Sequence, residues 1–379
     1  QAKINVPLSN RNLIINGAMR VNQRGTLTGE GYLIDRMRTE FSTLDENPTT
    51  TQGNVSSGTT PYSLGFRNTW KIQNGNQTSS AANDARIALQ YKIEAQDLAN
   101  SGWNYTSSSS YITLSLWVKS SVSQNFYGIV QTYDGTQQNY PFETGTLTAG
   151  QWTKITKTIP GNSNLQFDDD IGTGLKIEVH MIRGTVFTDN SVSLNTWAAY
   201  TSQTRTPDQT TTWYSTNDAT FEITGIQLEV GDTATVFESK SFAEELALCQ
   251  RYCYVIPYGG SSTSTAGNEE HIQSCHAYNA SAGTSGGAKE VRAMFTFPQP
   301  MRSTPTYTGS NTNAKFRASN SSNNFQLNGL TSMNNKTTSN IKSMTFTFTV
   351  GAPASMDGST AGTLEFNAAG GFVKFETEV

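Results

Sequence analysis

The chain has 379 residues, a formal net charge of −4 and only 15% charged residues, against about 25% in ordinary soluble domains. No basic block appears in it. A duplex presents one negative charge per ~1.7 Å and is bound by clustered Lys and Arg, so nucleic acid is excluded as a partner. No apolar run approaches the ~20 residues that cross a bilayer as a helix, which excludes membrane insertion of that kind.

The length predicts two domains rather than one core. Ser, Thr, Asn, Gln and Gly fill the place of charge, a composition closer to extracellular β-rich fibres than to cytosolic enzymes. The chain opens on Gln1, not Met, without a charged-then-apolar leader. Residues 1–11 are therefore expected to be a linker, or the remnant of an upstream anchoring region.

In chain order, strands are predicted at Leu13–Ile15, Tyr32–Phe41, Tyr62–Ile72, Ala85–Ile93, Tyr111–Lys119, Phe126–Tyr133, Trp152–Ile159, Leu175–Arg183 and Thr220–Val230. Several alternate apolar and polar residues, as a half-buried strand must. In YITLSLWVK, Ile112, Leu114, Leu116 and Val118 share one face and Trp117 lies on the other. In LKIEVHMIR the shared face is Leu175, Ile177, Val179 and Met181. Two stretches read as helical, Glu94–Asn100 and Ser241–Tyr252, the second opening on a capping box of Ser241 and Glu244. Further strands follow at Tyr252–Tyr258, Ile272–Tyr278, Val291–Phe297, Ser343–Val350, Thr363–Phe366 and Phe372–Thr377.

This pattern predicts an all-β protein. An antiparallel β-sandwich spans 12–240, a connecting helix 241–252, and a second, smaller β-sandwich 253–379. The stretch FEITGIQLEVG adds a detail. Its apolar residues change parity between Ile223 and Ile226, which predicts a β-bulge at Thr224–Gly225. The expected result is that Phe221 and Ile223 serve one layer while Ile226, Leu228 and Val230 serve another surface.

The run ITGIQLEVGDTATVFE leading into SFAEELALCQRY resembles a module of tailed-bacteriophage tail fibres and other virion appendages. RNLIINGAMRVNQRG, YITLSLWVKSS and FPQPMRSTPT add to the likeness, which covers 12–379. One departure is Cys253, where such modules commonly carry an aromatic residue. The resemblance implies a carbohydrate-binding jelly roll on the virion, at the tail or another external appendage. It also implies host-surface polysaccharide as partner during adsorption, contact with other appendage proteins, and a homotrimer. Alternatives are a purely structural or decorating virion protein and, further off, a polysaccharide depolymerase.

Sugar C–H faces stack on aromatic rings while amides and carboxylates bond the hydroxyls. Rings set in polar segments are therefore the glycan-binding candidates: Trp103 and Tyr105, Trp197 and Tyr200, Trp213 and Tyr214, with the outward Trp117. No cofactor is expected. A structural Ca²⁺ has precedent in such sandwiches, but no motif supports it; Asp168–Asp170 are consecutive and rarely reach one ion together. Cys249, Cys253 and Cys275, with His271 and His276, lack a C-x-x-C pair and do not read as a zinc site. A hairpin of Tyr252–Tyr258 with Ile272–Tyr278 would set Cys253 opposite Cys275 as a cross-strand pair. No nucleophile, metal-protease or phosphate-loop motif appears, and no two carboxylates are brought together by spacing, so the chain is not expected to be an enzyme.

Overall fold

The computed structural model describes residues 11–25, 27, 29–257, 270–279, 289–309, 314–318, 324–326, 342–350, 360–366 and 372–378, with side chains at 11–25, 27, 29–256, 295–308, 342–343 and 373–378. The chain divides into two units, the first running to Cys249 and the second from Gln250 to Glu378.

The first unit holds twelve strands: β1 Gly31–Tyr32, β2 Arg38–Ser42, β3 Thr49–Asn54, β4 Asn68–Gln73, β5 Arg86–Glu94, β6 Tyr111–Ser120, β7 Asn125–Thr132, β8 Gln138–Thr146, β9 Thr153–Pro160, β10 Thr173–Arg183, β11 Ala198–Ala199 and β12 Thr220–Val230. They form two antiparallel sheets. One has seven strands in the order β1-β2-β5-β10-β7-β8-β11, the other five in the order β3-β4-β12-β6-β9. Among the described residues four short α-helices accompany them, α1 Thr60–Ser63, α2 Ala95–Ala99, α3 Thr212–Ser215 and α4 Phe242–Gln250, with one 3-10 turn at Thr185–Phe187. The order is that of a jelly-roll-like sandwich: the strand pattern predicts the antiparallel sandwich and the resemblance implies the jelly roll. Ile87, Leu89, Leu175, Ile177 and Val179 from one sheet meet Ile112, Leu114, Leu116, Val118 and Leu228 from the other in a single core. Phe126 and Phe221 join the two layers edge to face at 4.7 Å. Each such side chain, fully buried, contributes about 1.5–3 kcal/mol.

The strand expected over Tyr62–Ile72 is shorter, because Pro61 near the start of α1 favours a helical turn there. The strand expected at Leu13–Ile15 is an irregular segment instead. Its Leu13 N–H donates to the Leu228 carbonyl. Asn12 accepts from Leu228 N and donates from Nδ2 to the Ile226 carbonyl. Ile226 N donates to the Gly17 carbonyl. Gly17 is required here, since a Cβ would lie 2.1 Å from the Ile226 oxygen.

The bulge is present. Thr224 pairs with Trp117 and Gln227 with Ser115, so β12 spends three steps where β6 spends two. Gly225 has φ +62°. The expected division of the strand between two layers is corrected, however: Phe221, Ile223, Ile226 and Leu228 all enter the same core. An inserted residue offsets the change of parity, so the bulge keeps the apolar set on one face rather than splitting it. The other face carries Glu222, Thr224, Gln227 and Glu229, all buried. Gln227 Nε2 donates to Glu229, which also accepts from Thr235 N and Oγ1; Gln227 Oε1 accepts from Glu238 N, and Glu238 accepts from Asn12 N.

Ser241 and Glu244 form the expected capping box at the start of α4. Glu245, buried on this helix, accepts from Asn16 N. The stretches RNLIINGAMR, ITGIQLEVGDTATVFE and SFAEELALCQ are thus interlocked by hydrogen bonds.

The second unit has strands β13 Cys253–Pro257, β14 Glu270–Asn279, β15 Lys289–Thr296, β16 Thr306–Gly309, β17 Ala314–Ala318, β18 Asn324–Gln326, β19 Ser343–Val350, β20 Thr360–Phe366 and β21 Phe372–Glu376. A three-stranded sheet β13-β21-β16 accompanies a six-stranded sheet β18-β17-β20-β14-β15-β19. They meet where Phe295 lies 5.6 Å from Phe375. The cysteine hairpin is corrected here. Cys253 pairs with Glu376, and Cys275 pairs with Ala293 and Gly362. The chain's last strand takes the place beside β13, which puts the two cysteines in different sheets.

Candidate functional site

The seven candidate rings do not form one surface. Trp213 is 0% exposed and Tyr214 1%; both lie on α3 in the core, and Trp213 Nε1 donates to the Thr220 carbonyl. Trp103 is 3% exposed and packs with Tyr105 and Phe167. These three are corrected from ligand candidates to packing residues. Their polar sequence neighbours face water while the rings fill the ends of the sandwich. Tyr105 is half-buried, 4.9 Å from Phe167. Trp117 does face away from the main core, half-buried beside a small cluster of Ala18, Val55 and Phe66. Trp197 packs on Tyr140 at 5.2 Å and donates to the Pro160 carbonyl. Tyr200 is half-buried against Arg205.

Asp168, Asp169 and Asp170 turn to separate partners, Gln166, Asn100 and Gly172 N. A cavity of about 620 Å³ opens beside Arg11, Leu13, Gln96, Asp97 and Lys240, with no aromatic residue in its lining.

A different surface gathers the chemistry: the outer face of the seven-stranded sheet. On β10 the core takes Leu175, Ile177 and Val179, so Lys176, Glu178 and His180 point outward. The register aligns them with Lys92, Gln90 and Ala88 on β5 and with Gln131, Ile129 and Tyr127 on β7. One strand further, Asn139 lies opposite Gln131, and Arg38 lies opposite Gln90. The alternation that makes a core on one side therefore assembles a polar sheet face on the other.

Glu178 sits at its centre, fully buried. Lys176 Nζ lies 2.9 Å away, Arg183 Nη2 3.2 Å and His180 Nε2 3.2 Å. Gln90 Nε2 donates to Glu178 at 2.6 Å and to Glu40 at 2.7 Å, and its oxygen accepts from Arg38. Burial pushes the Glu178 carboxyl up, yet Lys176, Arg183 and His180 outweigh it and hold it well below the usual range. Burial likewise opposes the charge of Lys176, and the Glu178 carboxylate reverses that effect, raising it. His180 goes down to about 4, through burial first and then the nearby Arg183. It is a neutral imidazole at neutral pH, and toward the ionised Glu178 carboxylate, which only accepts, its Nε2 must be the donor.

The sign for pH follows. The unfolded chain takes up the His180 proton near 6.5, the folded chain only near 4. Between these values the unfolded state binds more protons, so stability is full above about 6.5 and falls as pH drops towards 4. Urea midpoints across this window are expected to show a loss on the order of 2–3 kcal/mol. His180→Gln is expected to flatten the slope.

The segment 184–211 covers part of this face. Gln209 donates to the carbonyls of His180 and Met181, and Asn139 Nδ2 to that of Arg205. Beside it the rim is half-exposed: Arg38, Arg86, Lys92, Tyr127 and Tyr133. Tyr133 lies 5.8 Å from Lys92 Nζ and 5.7 Å from Lys176 Nζ. The oxygens Gln131 Oε1 and Asn139 Oδ1 are buried and accept no hydrogen bond among the described residues. Sequence reading missed this face, since nothing local marks residues 176–183 as covered.

No family model matches the chain, and no curated protein does. Among solved structures it is similar to the enzymatically active domain of Bacteriophage CBA120 tailspike protein 4, at 11% identity and TM-score 0.32, over 58% of this chain and 21% of that one. A putative sugar binding protein from Bacteroides thetaiotaomicron shows 11% identity and TM-score 0.28, over 58% of this chain and all of the other. A structure described as CBM4 shows 12% identity and TM-score 0.26, over 57% and 98%. The chain thus spans about a fifth of the tailspike domain.

Proposed function

We propose that the first unit is a glycan-binding module of a phage tail fibre or virion appendage, and that the outer face of its seven-stranded sheet holds the sugar. One observation carries this reading. Gln131 and Asn139 sit side by side with unfilled acceptor oxygens, next to the half-exposed ring of Tyr133 and the ammonium groups of Lys92 and Lys176. A buried acceptor without a partner costs about 1–3 kcal/mol, and a sugar hydroxyl supplies the missing donor. Tyr133 offers a ring for a C–H face with a polar edge beside it.

The face suits binding without cleavage. Gln90 holds Glu40 and Glu178 on one amide nitrogen, a close carboxylate pair. A glycosidase acid needs a raised pKa. Glu178 is held down, and both carboxylates are ion-paired to Arg183.

A glycan array with the whole chain is expected to return polysaccharide ligands, with Tyr133→Ala losing roughly fivefold or more, taking a ring–sugar stack to be comparable to the about 1–3 kcal/mol of a ring–base stack. Excess chain is expected to block adsorption of the phage to its host, and incubation with the host polysaccharide to leave its length unchanged. Shortened chains would mark a depolymerase; unchanged adsorption would favour a decorating role. Threefold assembly, carried by the resemblance, would multiply a weak single-site affinity. A solution mass of three chains is the expected result.

A further inference from the structure

On the same outer face, β10 and β5 set two arginines directly opposite each other, Arg183 and Arg86. Like charges at opposed positions repel. A third, Arg205, arrives from the segment 184–211. All three surround one ring: the guanidinium carbons of Arg205, Arg183 and Arg86 lie 5.0, 5.7 and 6.0 Å from the Phe187 centroid. Tyr200 lies 5.6 Å from Arg205.

The carboxylates nearby do not use up these donors. Glu40 lies 3.1 Å from Arg86 and 3.6 Å from Arg183; Glu178 lies 3.2 Å from Arg183 and is shared with Lys176. Both reach Arg183 through Nη2 alone. Among the described residues its buried Nε and Nη1 have no hydrogen-bond partner, and neither has Arg205 Nε. The Arg183 side chain is 0% exposed, whereas Arg86 and Arg205 are half-exposed. Guanidinium presents its N–H groups in a fixed fork that matches a carboxylate or sulfate. A buried fork with empty tines is costly in the absence of such an acceptor.

We infer that Arg86, Arg183 and Arg205 form an anion subsite around Phe187, and that the glycan taken by this face carries an acidic sugar. Its carboxylate or sulfate docks between Arg86 and Arg205, with Arg183 behind them and Phe187 under the sugar's apolar side. This inference rests on the glycan reading above and specifies its substrate class.

The test titrates the whole chain with four polymers: polygalacturonate, its carboxyl-reduced neutral form, dextran sulfate and dextran. At least one acidic polymer is expected to bind about tenfold or more tightly than its neutral counterpart, the gain of a charge-assisted pair. The preferred arm identifies carboxylate or sulfate. Arg205→Gln, on the covering segment, is expected to erase the preference while leaving the melting temperature in place; Arg86→Gln is expected to erase it as well, with a lower melting temperature because Glu40 loses its 3.1 Å partner. Equal affinity for acidic and neutral polymers, or a preference that survives both substitutions, would overturn the inference and leave the glycan reading standing. Binding to none of the four would overturn the acidic-sugar inference, while the glycan reading stands or falls on the array.

Discussion

Glu178→Ala is expected to destabilise the first unit by about 3–5 kcal/mol, the cost of breaking a buried ion pair from one side. The carboxylate is the common partner of Lys176, His180, Arg183 and Gln90. Removing it leaves two cations and an imidazole with little water to replace it. Glu178→Gln keeps the volume and an acceptor but loses the charge, and is expected to fall between. Urea unfolding at neutral pH measures both. A loss under 1 kcal/mol for the alanine variant would mean that water already solvates the cluster, and would remove the buried floor from the site. The same carboxylate adds to the acid sensitivity set by His180. Its folded pKa is depressed, so its contribution is present above the unfolded carboxylate range and disappears as pH falls through the folded value.

Gly225→Ala is expected to cost roughly 2–4 kcal/mol, from two separable sources. The backbone at φ +62° is unfavourable for any residue with a Cβ. A Cβ there would also stand 2.6 Å from the Phe66 ring. Phe66→Leu in the same chain should relieve the contact and leave the backbone part. The loss in the double variant is therefore expected to fall short of the sum of the single losses by about 1 kcal/mol or more. Additive losses would mean that the ring yields freely, and that Gly225 is required by conformation alone.

Strands with an inward apolar face were legible from the chain. Thr220–Val230 and Ser343–Val350 coincide with β12 and β19, and Tyr111–Lys119 falls one residue short of β6. Gln138–Thr146 escaped notice because Pro141 interrupts a polar run, although Tyr140 and Phe142 reach the core. Thr49–Asn54 escaped because it is an edge strand of mixed burial with scarcely an apolar residue. The bulge could be read at Gly225; its consequence was reversed because parity counts residues, whereas a face counts pairings.

The site was far less legible. Ring residues in polar segments look alike whether they cap a core, as Trp213 does, or line a surface, as Tyr133 does. Alternation in LKIEVHMIR marks the inward set and says nothing of what lies over the other. Lys176, Glu178 and His180 are buried, and a segment of chain beginning at Gly184, whose path is a tertiary fact, bonds to the backbone at His180 and Met181. The stretches most distinctive in sequence turned out to be those that clamp Asn12–Gly17 to β12 and α4.

Hydrogen exchange of the whole chain, with and without the polysaccharide selected by the array, tests the central claim most directly. Slowed exchange is expected along β5, β7 and β10 and in the segment 184–211, with the five-stranded sheet unchanged. Protection confined to the face around Trp117, or none in the first unit while the sugar is bound, would contradict it.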